Sequence, residues 1–325
     1  MSRPRFTPTY RLAAAGLLAL VGASVSGQEM PAAGEALLLA YKHQPGSEQK
    51  FRLEAKSDLT VTPEGGLGPL PVSMKLNTTY AEKVTEAQDG TGTLTTRLEA
   101  FLVDTNFLGN ALVGKLEKGK MVYTLNNQPA PPDGPVAALV GAVNPTQVFT
   151  VKRTPSGAIA EGGAPNVGGV GPGSSLAQFP DRPVKVGDTW ETTRPVGAGL
   201  QGPGAAAGTV LVARYTHTLK EVVKKDGRRF AMIQSSGAAT PADQAEAPDV
   251  RQSLSGLTRF DIERGVMVSG QYKLDLSMKV AAPALLGAAA ANGGGAVPMM
   301  QLDGLTTITV LEATAAPNGK KPTGK

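Results

Sequence analysis

The chain has 325 residues, no cysteine, two histidines and a formal net charge of +5. The lack of cysteine excludes disulfides, thiolate metal sites and a lipid-modified N-terminal cysteine. Arg3, Arg5 and Arg11 supply three of the five charges, so removing residues 1–27 leaves +2. That is no basis for a nucleic-acid surface, which needs Lys and Arg clustered on one face.

The three arginines precede Leu12–Val21, an apolar run of about ten residues, and then the small residues Ser24 and Ser26. This order predicts an export signal over residues 1–27, cleaved near Ser26 or Gly27. The apolar run is too short to span a bilayer comfortably. A retained N-terminal anchor is the alternative. The expected location is the periplasm, the cell surface or the extracellular space.

Glu35–Tyr41 is a first apolar run, read as a strand ended by Gln44-Pro45-Gly46. Over Lys50–Val61, Phe51, Leu53 and Ala55 alternate with Arg52, Glu54 and Lys56, as in a half-exposed strand. Met74–Ala87 alternates again and turns at Asp89-Gly90 into Thr93–Leu102. Val113–Leu125 reads as a hairpin turning near Lys118-Gly119. Pro135–Val143 predicts a short helix stopped by Asn144-Pro145. Gln147–Lys152 and Gly157–Glu161 form one further small hairpin, and Gly162–Ser175 is a Gly/Pro-rich boundary.

The second half starts with a strand near Thr189–Thr193. Thr209–Lys220 turns at Asp226-Gly227 into Arg229–Ile233. Leu257–Val268 is a second hairpin, followed by Gln271–Lys279 and a last strand, Leu305–Leu311. Asp-Gly and Arg-Gly between alternating runs are strong signals for antiparallel structure. Ala281–Met299 is apolar over nearly twenty residues, but Pro283, Gly287 and Gly293–Gly295 argue against a membrane helix.

The two halves repeat four landmarks in one order: a polar turn before a strand, a strand holding Tyr80 or Tyr215, an Asp-Gly reversal, and a later hairpin turning at Gly119 or Gly265. The spacing differs by two residues, and Val222 breaks the parity set by Leu211, Ala213, Tyr215, His217 and Leu219. A β-bulge near Lys220-Glu221 would restore it. The expected fold is mainly β: two related antiparallel modules of half-barrel or curved-sheet type, with a short helix and long Gly/Pro/Ala-rich loops. The expected divisions are a signal peptide (1–27), a first module (28–161), a linker (162–178), a second module (179–313) and a disordered basic tail (314–325).

Catalytic chemistry is sparse. Two histidines, His43 and His217, do not make a zinc site without carboxylates. His217 lies on the apolar parity of its strand, as a packed or rim histidine would. Ser174-Ser175 and Ser255 lack the flanking pattern of a nucleophile elbow. Gly109–Lys115 has the glycine and lysine spacing of a P-loop, but Leu116 replaces the magnesium-holding hydroxyl and a hairpin follows. Gly197, Gly199 and Gly202 have dinucleotide spacing without a following helix. Asp181 with Asp188, and Asp261 with Glu263, are the only acid–base openings. No cofactor and no metal is expected. Trp190, Tyr215, His217, Phe230, Phe260 and Tyr272 are the candidate ligand-lining residues, with core packing as the competing role.

Pro183-Val-Lys-Val-Gly-Asp-Thr-Trp190, with Phe260-Asp261 before Gly265, resembles a class of uncharacterised exported bacterial β proteins marked by a VKVGDTW strand start and a later FD…G hairpin. The resemblance implies an architecture similar to the half-barrels of the lipoprotein-localisation type, and it supplies no catalytic residue. The expected function is a non-catalytic envelope protein that binds an apolar small molecule or lipid-like ligand. A scaffold that engages another envelope protein through sheet edges is the first alternative, and a carboxylate-dependent hydrolase the second. Neither nucleic acid nor a transmembrane helix in the mature chain is expected.

Overall fold

The computed structural model describes residues 34–64, 68–107, 109–130, 148–162, 177–197, 210–241, 250–281 and 299–313. The expected signal peptide, the helix at Pro135–Val143, most of the linker, the Ser174-Ser175 and Gly199–Gly202 stretches and the basic tail lie outside these residues.

Among the described residues, fourteen strands follow in chain order: β1 Glu48–Pro63, β2 Leu70–Gln88, β3 Thr91–Phe107, β4 Asn110–Glu117, β5 Lys120–Leu125, β6 Gln128–Ala130, β7 Val148–Arg153, β8 Ile159–Gly162, β9 Thr189–Gly197, β10 Val210–Lys225, β11 Arg228–Pro241, β12 Arg251–Asp261, β13 Val266–Ala281 and β14 Met299–Glu312. No helix occurs among the described residues. The strands build one antiparallel sheet, ordered β6-β5-β4-β3-β2-β1-β14-β13-β12-β11-β10-β9, with β7 and β8 added beside β3. The sheet is not closed into a barrel. Its two halves meet where β1 pairs with β14 over thirteen residue pairs, Phe51–Pro63 against Met300–Glu312.

Alternation decides which side is buried. Phe51, Leu53 and Ala55 are buried while Arg52, Glu54 and Lys56 are more open. Antiparallel partners share a face, so one register row runs from Tyr215 through Leu254, Leu274, Ser57 and Met74 to Thr105. The residues on this side form the main core, drawn from strands in both halves.

The sheet must curl to bury that face. Flat, β7 and β12 would lie about 29 Å apart, six steps of about 4.8 Å each. Yet Tyr41 touches both: Arg153 of β7 places Cζ 5.3 Å from the Tyr41 ring centroid, and the Phe260 ring of β12 lies 5.2 Å away, edge-on. Tight turns at Asp89-Gly90, Asp226-Gly227 and Ile262–Gly265 gather at the Tyr41 end. The longer β1–β2, β9–β10, β11–β12 and β13–β14 connections are at the other.

Glu35–Tyr41 corrects the expectation of a ladder strand. The segment is extended, with Leu37, Leu39 and Tyr41 buried and Leu38 60% exposed, but its ladder contact is a single bridge, Leu37 to Val184. It works as a strap across the end of the sheet. Tyr41 N–H donates to Pro155 O at 2.7 Å, and Lys42 N–H donates to Gly265 O at 3.1 Å. A second correction concerns length: β11 runs on through Ala238 and Ala239 to Pro241, well beyond the expected Arg229–Ile233, and β13 absorbs both Val266–Val268 and Gln271–Lys279. The expected bulge is present, as the β10–β11 register slips between Leu219 and Glu221.

Candidate functional site

The inner face carries a partly open patch among closed positions such as Val61 and Leu302, 2% and 1% exposed. Near the strap, Leu39, Leu219, Ile233 and Phe260 are at most 2% exposed. Towards the long connections, Leu59, Leu70, Val72, Met74, Phe101 and Leu276 pack against the main core and are only partly buried. Met278 and Met300 stand among them, at 7% exposure each. Unbranched thioether side chains adapt to irregular apolar shapes. A partly open apolar wall of this kind suits an apolar ligand.

Two buried polar groupings lie below this wall. In the first half, Glu82 follows Tyr80 on the inward parity of β2. Arg153 Nη2 donates to both Glu82 oxygens, at 3.0 and 3.2 Å, and both side chains are under 10% exposed. Burial pushes the neighbouring Tyr80 phenol upward, and the Glu82 charge adds to this. His43 is held below its ordinary pKa, first by burial and then by the Arg153 charge. Arg153 Nε, Thr96 Oγ1 and His43 Nε2 are buried and have no hydrogen-bond partner among the described residues.

In the second half, His217 follows Tyr215 on β10. Its Nδ1 lies 2.8 Å from Ser235 Oγ, and its Nε2 lies 2.8 Å from Thr192 Oγ1. Burial, aided by the Arg194 charge, lowers its pKa to about 4. The imidazole is therefore neutral at pH 7. Sequence reasoning missed that Thr192, His217 and Ser235 meet. The trio looks like hydroxyl-activation geometry, but a base with that pKa has little driving force to take a proton, and no carboxylate orients the ring. The same contacts read well as a hydrogen-bond ladder that satisfies a buried imidazole across β9, β10 and β11.

The six candidate ligand-lining residues do not share one environment. Tyr215 and Tyr272 belong to the main core, whereas Trp190 and Phe260 belong to the strap-end cluster with Leu37, Leu39, Tyr41 and Phe179. His217 lies between them, its ring stacked 5.5 Å from Trp190 and tilted 6.2 Å from Tyr215. Tyr272 donates or accepts through its hydroxyl with Thr258 Oγ1 at 2.8 Å. Phe230 stands apart. Ala231 and Ile233 point inward, so Phe230 faces outward, under Arg259 (Cζ 3.8 Å from the ring centroid) and Arg228 (5.5 Å).

Three of the four candidate carboxylates, Asp188, Asp261 and Glu263, serve turns. Asp261 accepts from Arg228 Nη1 at 3.0 Å and from the Arg264 backbone N–H at 2.9 Å. Glu263 accepts from the Arg229 backbone N–H and Nε, each at 2.8 Å. Asp188 accepts from the Lys185 N–H at 3.0 Å. The Pro183–Trp190 and Phe260–Gly265 stretches do similar work. Val184 bridges Leu37, Gly187 turns the chain at φ 95°, and Trp190 Nε1 donates to Gln178 O at 2.6 Å. Phe260 fills the core and Gly265, at φ 66°, receives the strap. The P-loop lookalike is a β3–β4 turn at Gly109 followed by strand, with Gly114 beneath the Tyr123 ring.

Among the described residues, no group of three or more His, Asp or Glu is placed to hold a metal ion, and no helix is long and apolar enough to cross a membrane. No known protein family matches the chain, and no curated protein matches it.

Proposed function

We propose that this is an exported binding protein whose curled sheet holds an apolar, lipid-like ligand against its inner face. The observation that carries the reading is the partly open patch: Leu59, Leu70, Val72, Met74, Phe101 and Leu276 face the core side yet remain partly open. Export rests on the N-terminal sequence pattern, and envelope residence on the resemblance of the VKVGDTW and FD…G stretches.

The two halves are further proposed to be related modules. Turn geometry supports this. Gly46 N–H donates to Val84 O and Val84 N–H to Ser47 O; Gly187 N–H donates to Leu219 O and Leu219 N–H to Asp188 O. Both glycines have positive φ, at 82° and 95°. The strand register slips just beyond each clamp, between Val84 and Glu86 and between Leu219 and Glu221.

The edge-pairing scaffold is the weaker reading. The two end strands of the main path, β6 and β9, each contain a proline, Pro129 and Pro195, which offers no N–H to an incoming strand. A carboxylate hydrolase needs two acids converging in a cleft, and Asp188, Asp261 and Glu263 are each occupied by a turn.

Organic extraction of protein purified from a cell envelope, followed by mass spectrometry, tests the ligand reading. A co-purifying apolar molecule near one per chain is expected. Protein that emerges clean, and then takes up no long-chain amphiphile, contradicts it.

A further inference from the structure

We propose that a fork in β3 is the subsite for the ligand's polar head, and that it takes a neutral oxygen-bearing head, such as a glyceryl ester, in preference to a carboxylate or phosphate. This rests on the ligand-binding reading above and assigns that ligand its head-group class.

The fork follows from register. β4 pairs with β3 from Leu102 to Phe107, and β7 pairs with the same edge from Gly92 to Arg97. Leu98–Phe101 lie between the two and pair with neither. The outer lips are apolar and open: Val148, opposite Arg97, is 59% exposed and Leu102 is 39% exposed. On the inner face, partly buried Phe101 is the last residue of the gap, and Phe149 and Thr96 sit in register just below it. An apolar chain thus has a wall to lie on, and the gap opens beside Thr96, whose cross-strand neighbour Glu82 holds Arg153.

Those groups define the head. Thr96 is 1% exposed and Arg153 7%, yet Thr96 Oγ1 and Arg153 Nε–H both lack a hydrogen-bond partner among the described residues. A buried donor without a partner is costly and invites an acceptor. The charge account is already balanced, because Glu82 takes two hydrogen bonds from Arg153 Nη2 and pairs across the strands with Thr96. An anion brought in here meets Glu82 in a dry surrounding, and a cation meets Arg153. A neutral ester or alcohol oxygen accepts from Arg153 Nε–H and exchanges a hydrogen bond with Thr96 without adding charge.

Titration calorimetry with monoolein and with oleate, which share an acyl chain, tests this on the full chain. Monoolein is expected to bind at least tenfold more tightly than oleate at pH 7. Thr96→Val, close in shape, is expected to weaken monoolein on the order of tenfold, while Thr96→Ser retains its affinity. Oleate binding as well as monoolein, or Thr96→Val leaving monoolein unchanged, overturns the head-group assignment and leaves the apolar-ligand reading standing. Failure of both amphiphiles to bind overturns both.

Discussion

Tyr80-Ala-Glu82-Lys-Val84 and Tyr215-Thr-His217-Thr-Leu219 occupy matching places in the two halves, yet they bury different chemistry. Each places a polar side chain on the inward face two residues beyond a buried tyrosine, just before a register slip. The first half makes an ion pair, with its cation supplied by β7. The second makes a neutral ladder from Thr192 through His217 to Ser235, closed by the edge strand β9. The neighbours explain the choice. β10 is flanked by β9 and β11, whose Thr192 and Ser235 hydroxyls reach His217, and the nearby Arg194 cation disfavours a charged imidazole. β3 is flanked by two short strands, and the lower one carries Arg153 into the interior. A charge can be buried in the first half because a second charge arrives with the extra strand.

The largest expected effect breaks that ion pair. Arg153→Met removes the cation against which Glu82 is buried, and urea unfolding should show a loss of about 3–5 kcal/mol. Adding Glu82→Leu to the same chain should restore most of it, because an apolar pair of similar volume needs no compensation. A double variant as unstable as the single one would mean that the pair also positions the strap through Tyr41.

The neutral ladder should appear as pH dependence. His217 titrates near 4 in the folded chain and near the ordinary 6.5 when unfolded. Between those values the unfolded chain binds a proton that the folded chain refuses. Stability contributed by the neutral imidazole is therefore full above about pH 6.5, falls as the pH drops towards 4 and then levels off, a change of about 3 kcal/mol. His43 is shifted in the same direction, so it adds to the slope. His217→Gln should flatten most of the profile measured by urea unfolding between pH 7 and 4. An unchanged slope would place the titrating group elsewhere.

Smaller effects separate the strap from the turns. Gly265→Ala puts a methyl 2.6 Å from the Lys42 backbone nitrogen at φ 66°, so backbone must move, and a loss of about 2–3 kcal/mol is expected. Gly187→Ala meets nothing within 4 Å and bears only its φ of 95°, for about 1 kcal/mol. Thermal or urea unfolding ranks the two. Smallest is Lys152→Ala, which removes an exposed pair with Glu161 at 2.8 Å and should change stability by no more than about 0.5 kcal/mol.

Much of the strand plan is written in local alternation, and the bulge at Leu219–Glu221 is legible because Val222 breaks parity. What stays hidden is non-local. Glu35–Tyr41 alternates like a strand, but alternation does not say whether a ladder partner exists. The β1–β14 pairing joins opposite ends of the chain, and no short-range signal marks it. Arg153 and Glu82 are 71 residues apart. Half of their pairing was readable, since Glu82 shares the parity of Tyr80 and Val84 and a carboxylate there needs a partner. Phe230 was also readable, because it is out of phase with Ala231 and Ile233. Aromatic content alone grouped it with Trp190 and Tyr272.

The central claim is that an apolar ligand lies on the inner face of the curled sheet. Methionine methyl NMR tests it most directly, because Met74, Met278 and Met300 lie on that face and Met232 is on the outer one. Adding monoolein should move or broaden the signals of Met74, Met278 and Met300 and leave Met232 in place. Inner signals that stay fixed at saturating monoolein, or an equal response from Met232, would contradict the account.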